Sequence, residues 1–258
     1  EYADAIDIDI WSVESAKESA RLNGIQERIN VLHGTVELIT GKTYDMVVAN
    51  INRNIILADI ARYSAALNMG GDMLLSGFLD EDINDIIEDD SIKIVVEVMG
   101  GIEPAREYMI AAMNRKKHIV TANKMLLATG GDELFEKADK EGVMFNYEAS
   151  VAGGIPIING INESLTANKV ERLYGIVNGT TNYILTKMDY DNLDFNEALN
   201  EAQEKGYAEA DPTSDIEGYD SQYKLSILSS LAFGTKIKVE DVYKEGITRI
   251  EGIDIKYA

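Results

Sequence analysis

Lys224 closes the stretch GYAEADPTSDIEGYDSQYK (206–224), which gathers carboxylates around a single lysine. Asp220 and Lys224 stand at i and i+4, so a helix would place them on one face. Glu209, Asp211 and Asp215 precede them on a segment punctuated by Gly206, Pro212 and Gly218. Converging acids of this kind can hold the ammonium of an amino-acid substrate while the lysine moves a proton. The plainer reading is a solvated acidic loop running into an amphipathic helix, because charge runs usually face water.

Composition removes several other chemistries. The 258-residue chain has no cysteine, which excludes thiol nucleophiles, zinc–thiolate sites and disulfide scaffolds together. It also fits a reducing, cytoplasmic setting. The two histidines, His33 and His118, are too few for a histidine-rich metal site. Each follows a strand-like run, where a structural role outweighs membership of a Ser-His-Asp triad. The net charge of −21 is spread evenly, with 6 basic and 17 acidic side chains in 1–89 and 18 and 28 in 90–258. Without a basic stripe, nucleic acid is not an expected partner. No apolar run approaches the ~20 residues of a membrane span, and no signal-peptide pattern opens the chain. A hydrophobic content of 45% with 27% charged residues reads as soluble and globular. This length suits two ordinary domains or one large one.

The elements that must position these residues read as α/β. Strands are predicted at 2–9, 28–34, 44–50 and 71–77, with helices at 11–24 and 55–71. Asp9 is a candidate cap for the first helix and Gly24 its stop. The pattern restarts with a strand at 92–101, a helix at 104–117 opening on Pro104, and a strand at 118–124. A helix at 132–142 and a strand at 143–150 follow. Beyond Ser150 the texture becomes α+β: a Gly-Gly-Ile-Pro turn, a helix at 157–168, a strand at 169–178, the acidic loop and the helix holding Lys224. Boundaries are expected near Asp89/Asp90 and, more softly, near Glu148. The expected fold is a Rossmann-like parallel sheet, hybrid and incomplete, followed by an α+β substrate and dimerisation domain.

Residues 90–258 resemble homoserine dehydrogenase. Six motifs carry the resemblance in order: EVMGG (97–101), TANK (121–124), YEASVAGGIPI (147–157), NGTTNYIL (178–185), GYAEADP (206–212) and the Asp220…Lys224 pair. It implies interconversion of L-homoserine and aspartate 4-semialdehyde with NAD(P), an oxidoreductase step of amino-acid biosynthesis leading to threonine and methionine. Lys224 then looks like the general acid/base. An unperturbed lysine, with a pKa of about 10.4, is a poor base at neutral pH. Desolvation or a second cation would correct this, and Lys124 is the natural second cation. Glu209 and Asp220 look like the substrate-binding carboxylates. Met99, Gly100, Thr121, Lys124 and Gly179 match the nicotinamide side of the cleft. Glu148, Val151, Gly153 and Ile155 match the family's monovalent-cation loop, implying sodium on mainly backbone oxygens. The family also implies a homodimer formed through the C-terminal domain.

Residues 1 to about 88 resemble a second family, the S-adenosylmethionine-dependent methyltransferases of a large-subunit ribosomal protein (PrmA type). The matching stretches are AIDID and ARLNG within 5–24, YDMVVANI (44–51) and NMGGDMLLSGF (68–78). The resemblance implies methyl-donor contacts at Asp7, Gly34, Thr35 and Asn50.

The chain departs from both families. No G-x-G-x-x-G occurs anywhere in it, although a dinucleotide fold needs such a turn to meet a pyrophosphate. It opens at Glu1 without a methionine, so the expectation is a missing beginning and a join between two interrupted pieces. A natural fusion, a truncated fragment and an engineered chimera look alike in sequence. The leading expectation is an impaired homoserine dehydrogenase. The alternatives are a methyltransferase acting through the first segment and a non-catalytic fusion fragment. The two pieces are expected to share one hybrid sheet, which would hide strand edges that each would otherwise expose.

Overall fold

The computed structural model describes residues 2–51, 53–76 and 82–258. They pack into two compact units, Glu1–Asn84 and Asp85–Ala258. The division falls a few residues before the expected boundary, and the second unit is not subdivided near Glu148.

In the first unit, β1 (Ala3–Asp7) leads into α1 (Ile10–Leu22), then β2 (Ile29–His33) and β3 (Tyr44–Asn50). Asp9 caps α1, its Oδ2 accepting from the Ser12 amide at 2.9 Å. β1 and β2 are parallel, in register from Ala3↔Ile29 to Asp7↔His33. α2 (Arg53–Ala65) connects β3 to its parallel partner β4 (Leu67–Ser76). The helix expected to reach residue 71 therefore stops earlier. The Tyr44 amide donates to the Ala66 carbonyl, and Asn68 Nδ2 donates to Asp45 Oδ1, so residues 66–68 already belong to the ladder beside β3. The extra residues are absorbed in a bulge where Gly70 takes φ +81. The end of the expected strand, Gly77, and the Phe78 of its motif lie outside the described residues. Ile39, Ala49, Tyr63 and Ala66 form the core here. Asp4 ties the strands together by accepting from Tyr44 Oη (2.6 Å), Lys42 Nζ (2.8 Å) and Asn30 Nδ2 (2.9 Å).

α3 (Ile83–Glu88) precedes β5 (Ile94–Glu97), α4 (Ala105–Asn114), β6 (His118–Thr121), α5 (Lys124–Glu141) and β7 (Phe145–Asn146). These strands form a parallel sheet in the order β5-β6-β7. The described strands thus pair in three separate parallel sheets, where one hybrid sheet was expected.

Several lengths also differ from expectation. α5 begins at Lys124 instead of 132, because Asn123 caps it (Leu126 N to Oδ1, 3.1 Å) and Leu126, Leu127 and Leu134 are buried along its length. That burial offsets the roughly 1 kcal/mol each that Gly130 and Gly131 cost inside a helix. The expected strand 143–150 shrinks to β7, and Glu148–Ser150 form a 3₁₀ turn. The expected helix 157–168 is cut to α6 (Ile157–Asn159) and a wide turn over Gly160–Ser164. Thr166 closes that end by donating its hydroxyl to the Glu163 carbonyl at 3.1 Å. Residues 169–178 enter no strand ladder, since no described strand lies beside them to complete one.

The rest is helical: α7 (Gly179–Tyr190), α8 (Phe195–Glu204), α9 (Thr213–Ile216), α10 (Tyr219–Phe233) and α11 (Gly252–Tyr257). Ile227 and Leu228 of α10 share a core with Leu127 of α5, Val151, Ile158 and Ile161. This packing sets the N-terminal ends of α5 and α10 close together. No described helix is long and apolar enough to cross a membrane.

Candidate active site

Gly218, in the left-handed region at φ +82, turns the chain into α10, so Asp220 falls in the helix's first turn and Lys224 one turn on. Lys224 Nζ lies 2.6 Å from Asp220 Oδ2, as the i, i+4 spacing predicts. The same ammonium donates to the Val177 carbonyl at 2.8 Å. Lys124, the first residue of α5, places its Nζ 2.9 Å from Asp220 Oδ1. Asp220 therefore sits between two lysines and gives one oxygen to each. Asn178 adds a third donor, its Nδ2 lying 2.8 Å from Asp220 Oδ2 and 2.6 Å from Asp215 Oδ1.

Asp220 is only 3% exposed. Burial pushes its carboxyl up, but hydrogen bonds from Lys224, Asn178 and Lys124 outweigh that and hold it below its ordinary value. A buried carboxylate with three donors stays ionised and fixes where those donors point. Such an arrangement can hold one ammonium still while presenting its remaining valence to a substrate.

The other predicted acids behave differently. Glu209 is exposed on the loop after Gly206, and Gln203 Nε2 holds that loop through the Glu209 carbonyl at 3.0 Å. Among the described residues its carboxylate is not a partner of Lys224 or Lys124, so one of the two expected acids is beside the lysine. Asp211 accepts from the Thr213 amide of its own turn at 3.1 Å. Asp215, one of the converging acids, joins the cluster together with Asn178 and the Val177 carbonyl, neither of which had an assigned role. An asparagine just before a helix was the available signal at 178.

On the expected nicotinamide side, Met99 and Gly100 are exposed, and Gly100 and Gly101 take φ +76 and +72. Their loop is held from behind by buried Glu97. Its Oε1 accepts from the amides of Met99 (2.8 Å) and Gly100 (3.3 Å), and its Oε2 accepts from the Thr121 hydroxyl (2.6 Å). Thr121 is thus buried support for the loop. Gly179, exposed at the start of α7, has open space where a Cβ would stand. The sequence contains no G-x-G-x-x-G.

In the expected cation loop, both oxygens of Glu148 are taken by the amides of Ile158 and Asn159, each at 2.8 Å. The backbone turns through left-handed Ala152 and Gly153 and continues to Ile155, with Val151 buried. The described residues hold no cluster of three or more His, Cys, Asp or Glu placed for a metal.

The methyl-donor positions stand at or just after the carboxyl ends of β1, β2 and β3 in the first unit. The Gly34 amide donates to the Asp7 carbonyl at 2.9 Å, so these two adjoin at one end of the β1–β2 sheet. Asp7 Oδ1 accepts from its neighbour Asp9 N at 2.8 Å, and the Thr35 hydroxyl bonds to Glu37. Asn50 lies on the β3–β4 sheet, where Oδ1 accepts from Ser76 Oγ at 2.8 Å.

Comparison with known proteins matches both resemblances. Residues 156–258 match the family model described as homoserine dehydrogenase, and residues 1–100 match that of ribosomal protein L11 methyltransferase (PrmA). The chain is 50% identical over 180 residues to a homoserine dehydrogenase of Synechocystis sp., covering 70% of this chain and 42% of that protein. It is 43% identical over 225 residues to one from Mycobacterium bovis, covering 87% of this chain and 50% of that protein. Among solved structures, the homoserine dehydrogenase of Thiobacillus denitrificans superposes with a TM-score of 0.69 at 36% identity, over 99% of this chain and 54% of that one. A putative homoserine dehydrogenase from Archaeoglobus fulgidus gives 0.65 at 26% identity, over 100% of this chain and 76% of that one. The chain spans about half the length of the curated relatives it matches.

Proposed function

We propose that the second unit is the substrate half of a homoserine dehydrogenase, with Lys224 exchanging the proton as L-homoserine and aspartate 4-semialdehyde interconvert. One observation carries this reading: the Lys124–Asp220–Lys224 bridge at the joined ends of α5 and α10. In homoserine oxidation a neutral Lys224 takes the hydroxyl proton; in reduction its ammonium returns that proton to the forming alkoxide. Bound NAD(P) would accept or supply the hydride at the adjacent carbon. Asp220 orients both lysines, and Glu209, on its exposed loop, is proposed to take the substrate's ammonium. Met99, Gly100, Gly179 and Lys124 would flank the nicotinamide, with Thr121 holding the loop from behind.

Because no G-x-G-x-x-G occurs in the 258-residue sequence, the cofactor affinity of this polypeptide is proposed to be poor, appearing first as a very high KM for NAD(P). Assaying semialdehyde reduction at high cofactor concentration tests this. The expected result is a slow rate far from saturation that Lys224→Ala abolishes while leaving amino-acid binding largely intact. Near-normal turnover, or an undiminished rate in the variant, contradicts the reading.

Three narrower readings accompany it. The main-chain oxygens of Glu148, Val151, Gly153 and Ile155 are proposed to hold sodium. Residues 169–178, which expose Tyr174 and Ile176, are proposed as the edge through which two copies pair in the cytoplasm. The match of residues 1–100 favours methyl-donor binding by the first unit as a second reading, and calorimetry with S-adenosylmethionine decides it.

A further inference from the structure

Asn178 is 5% exposed and lies in no step of the proposed chemistry, yet its amide is fully engaged. Its Oδ1 accepts from the Thr181 amide at 2.8 Å and from the Thr181 hydroxyl at 3.0 Å, which caps α7. Its Nδ2 donates to Asp215 Oδ1 and Asp220 Oδ2. The orientation of this amide is not arbitrary. A backbone N–H can only donate and an ionised carboxylate can only accept, so the oxygen must face Thr181 and the nitrogen the two acids.

We infer that Asn178 is a positioning residue that yokes Asp215 to Asp220 and thereby aims the Lys224 ammonium. The inference rests on the proposed role of Lys224. Residues 177 and 178 act as a two-point frame. The Val177 carbonyl takes one Lys224 N–H, and Asn178 pins the carboxylate oxygen that takes another. An ammonium has three N–H positions, so one remains, and the frame sets its direction. The –NH2 of Asn178 also stands between two acids that would otherwise repel across a short gap. Asp220 has lysines on both oxygens, whereas the hydrogen bond from Asn178 links Asp215 to that group.

The capping and yoking roles can be separated by substitution. Asn178→Ser and Asn178→Asp both keep a good N-cap acceptor, so α7 is expected to form in each. Serine removes the two donors; aspartate replaces them with a third carboxylate. The full 258-residue chain with carbon-13-labelled aspartate can be titrated by NMR, following the Asp220 carboxyl, with L-homoserine binding measured by calorimetry. Protonation of Asp220 is expected at higher pH in the serine variant, and higher again in the aspartate variant. Homoserine affinity is expected to fall in the same order while helical circular dichroism stays at the wild-type level.

A capping role alone predicts that the serine variant matches wild type in titration and binding, and that result overturns the inference. Loss of helical signal in both would also count against it, since capping would then dominate. If wild-type chain binds no homoserine but the Asp220 titration still moves in the stated order, the proposed function fails and the yoke stands.

Discussion

The Thr121 hydroxyl donates to the Glu97 carboxylate at 2.6 Å across the β5–β6 pair, where the two residues are register partners. Both are buried, and the other oxygen of Glu97 holds the amides of Met99 and Gly100. One carboxylate therefore shapes the loop proposed to meet the nicotinamide. Asn123 continues the frame, donating to the Gly101 carbonyl at 2.7 Å and capping the helix that begins with Lys124.

Glu97→Ala leaves the buried Thr121 hydroxyl and the loop amides of Met99 and Gly100 without their acceptor. A loss of about 3 kcal/mol is expected in urea denaturation of the chain, given the cost of burying unsatisfied polar groups. Glu97→Gln, which keeps an acceptor toward the loop amides, is expected to lose clearly less. Equal losses in the two variants would argue that only side-chain volume matters there.

Gly218 holds φ +82 at the start of α10, and a Cβ there would stand 3.0 Å from the Glu245 carbonyl oxygen. Gly218→Ala is expected to cost about 1–2 kcal/mol from the left-handed backbone. It should also displace Asp220, so homoserine affinity should fall with stability. Binding retained at wild-type strength would separate the turn from the site.

Asp220 has its carboxyl held below the ordinary 3.8. A depressed acid adds stability that is complete above its unfolded value and is lost as pH falls through the folded one. Acid titration of stability is therefore expected to show a decline beginning below about pH 4, flattened in Asp220→Asn. The same variant leaves Lys124 and Lys224 facing each other without the intervening charge, and about 3 kcal/mol is expected to be lost at neutral pH. An unchanged acid limb would mean that the bridge is not formed in solution.

In the first unit, Asp4 is held at about 2, chiefly by the hydrogen bonds from Lys42, Tyr44 and Asn30. Its contribution is complete above about pH 4 and lost toward pH 2. Burial, with the bond to Asp4, pushes the Tyr44 phenol up to about 12. There the sign reverses. Between pH 10, where the unfolded phenol ionises, and pH 12, where the folded one does, stability falls with rising pH. Tyr44→Phe is expected to remove that alkaline decline in thermal melts of the chain; a decline of the same size in the variant would assign it elsewhere.

Much of the site was legible in local spacing. Asp220 and Lys224 lie at i and i+4, and the helix delivered the contact that spacing requires. Lys124 was legible only through its motif, because no periodicity reveals that α5 opens there and meets α10. Asn178 could be read as a helix cap, but its second bond spans 42 residues to Asp220, which no local pattern encodes. Glu209 shows another case: it stands in the motif, and among the described residues its carboxylate is not a bonding partner of either lysine. The β-α alternation was correctly read as parallel, yet the start of β4 depended on a tertiary bond at Asn68, and the length of α5 on the Asn123 cap and the burial of its leucines.

The central claim is that the acid between Lys124 and Lys224 organises a homoserine site. Calorimetric titration of L-homoserine into the 258-residue chain and into Asp220→Ala addresses it most directly. Saturable one-to-one binding that disappears in the variant is the predicted result. Equal heats of binding in the two proteins would contradict it.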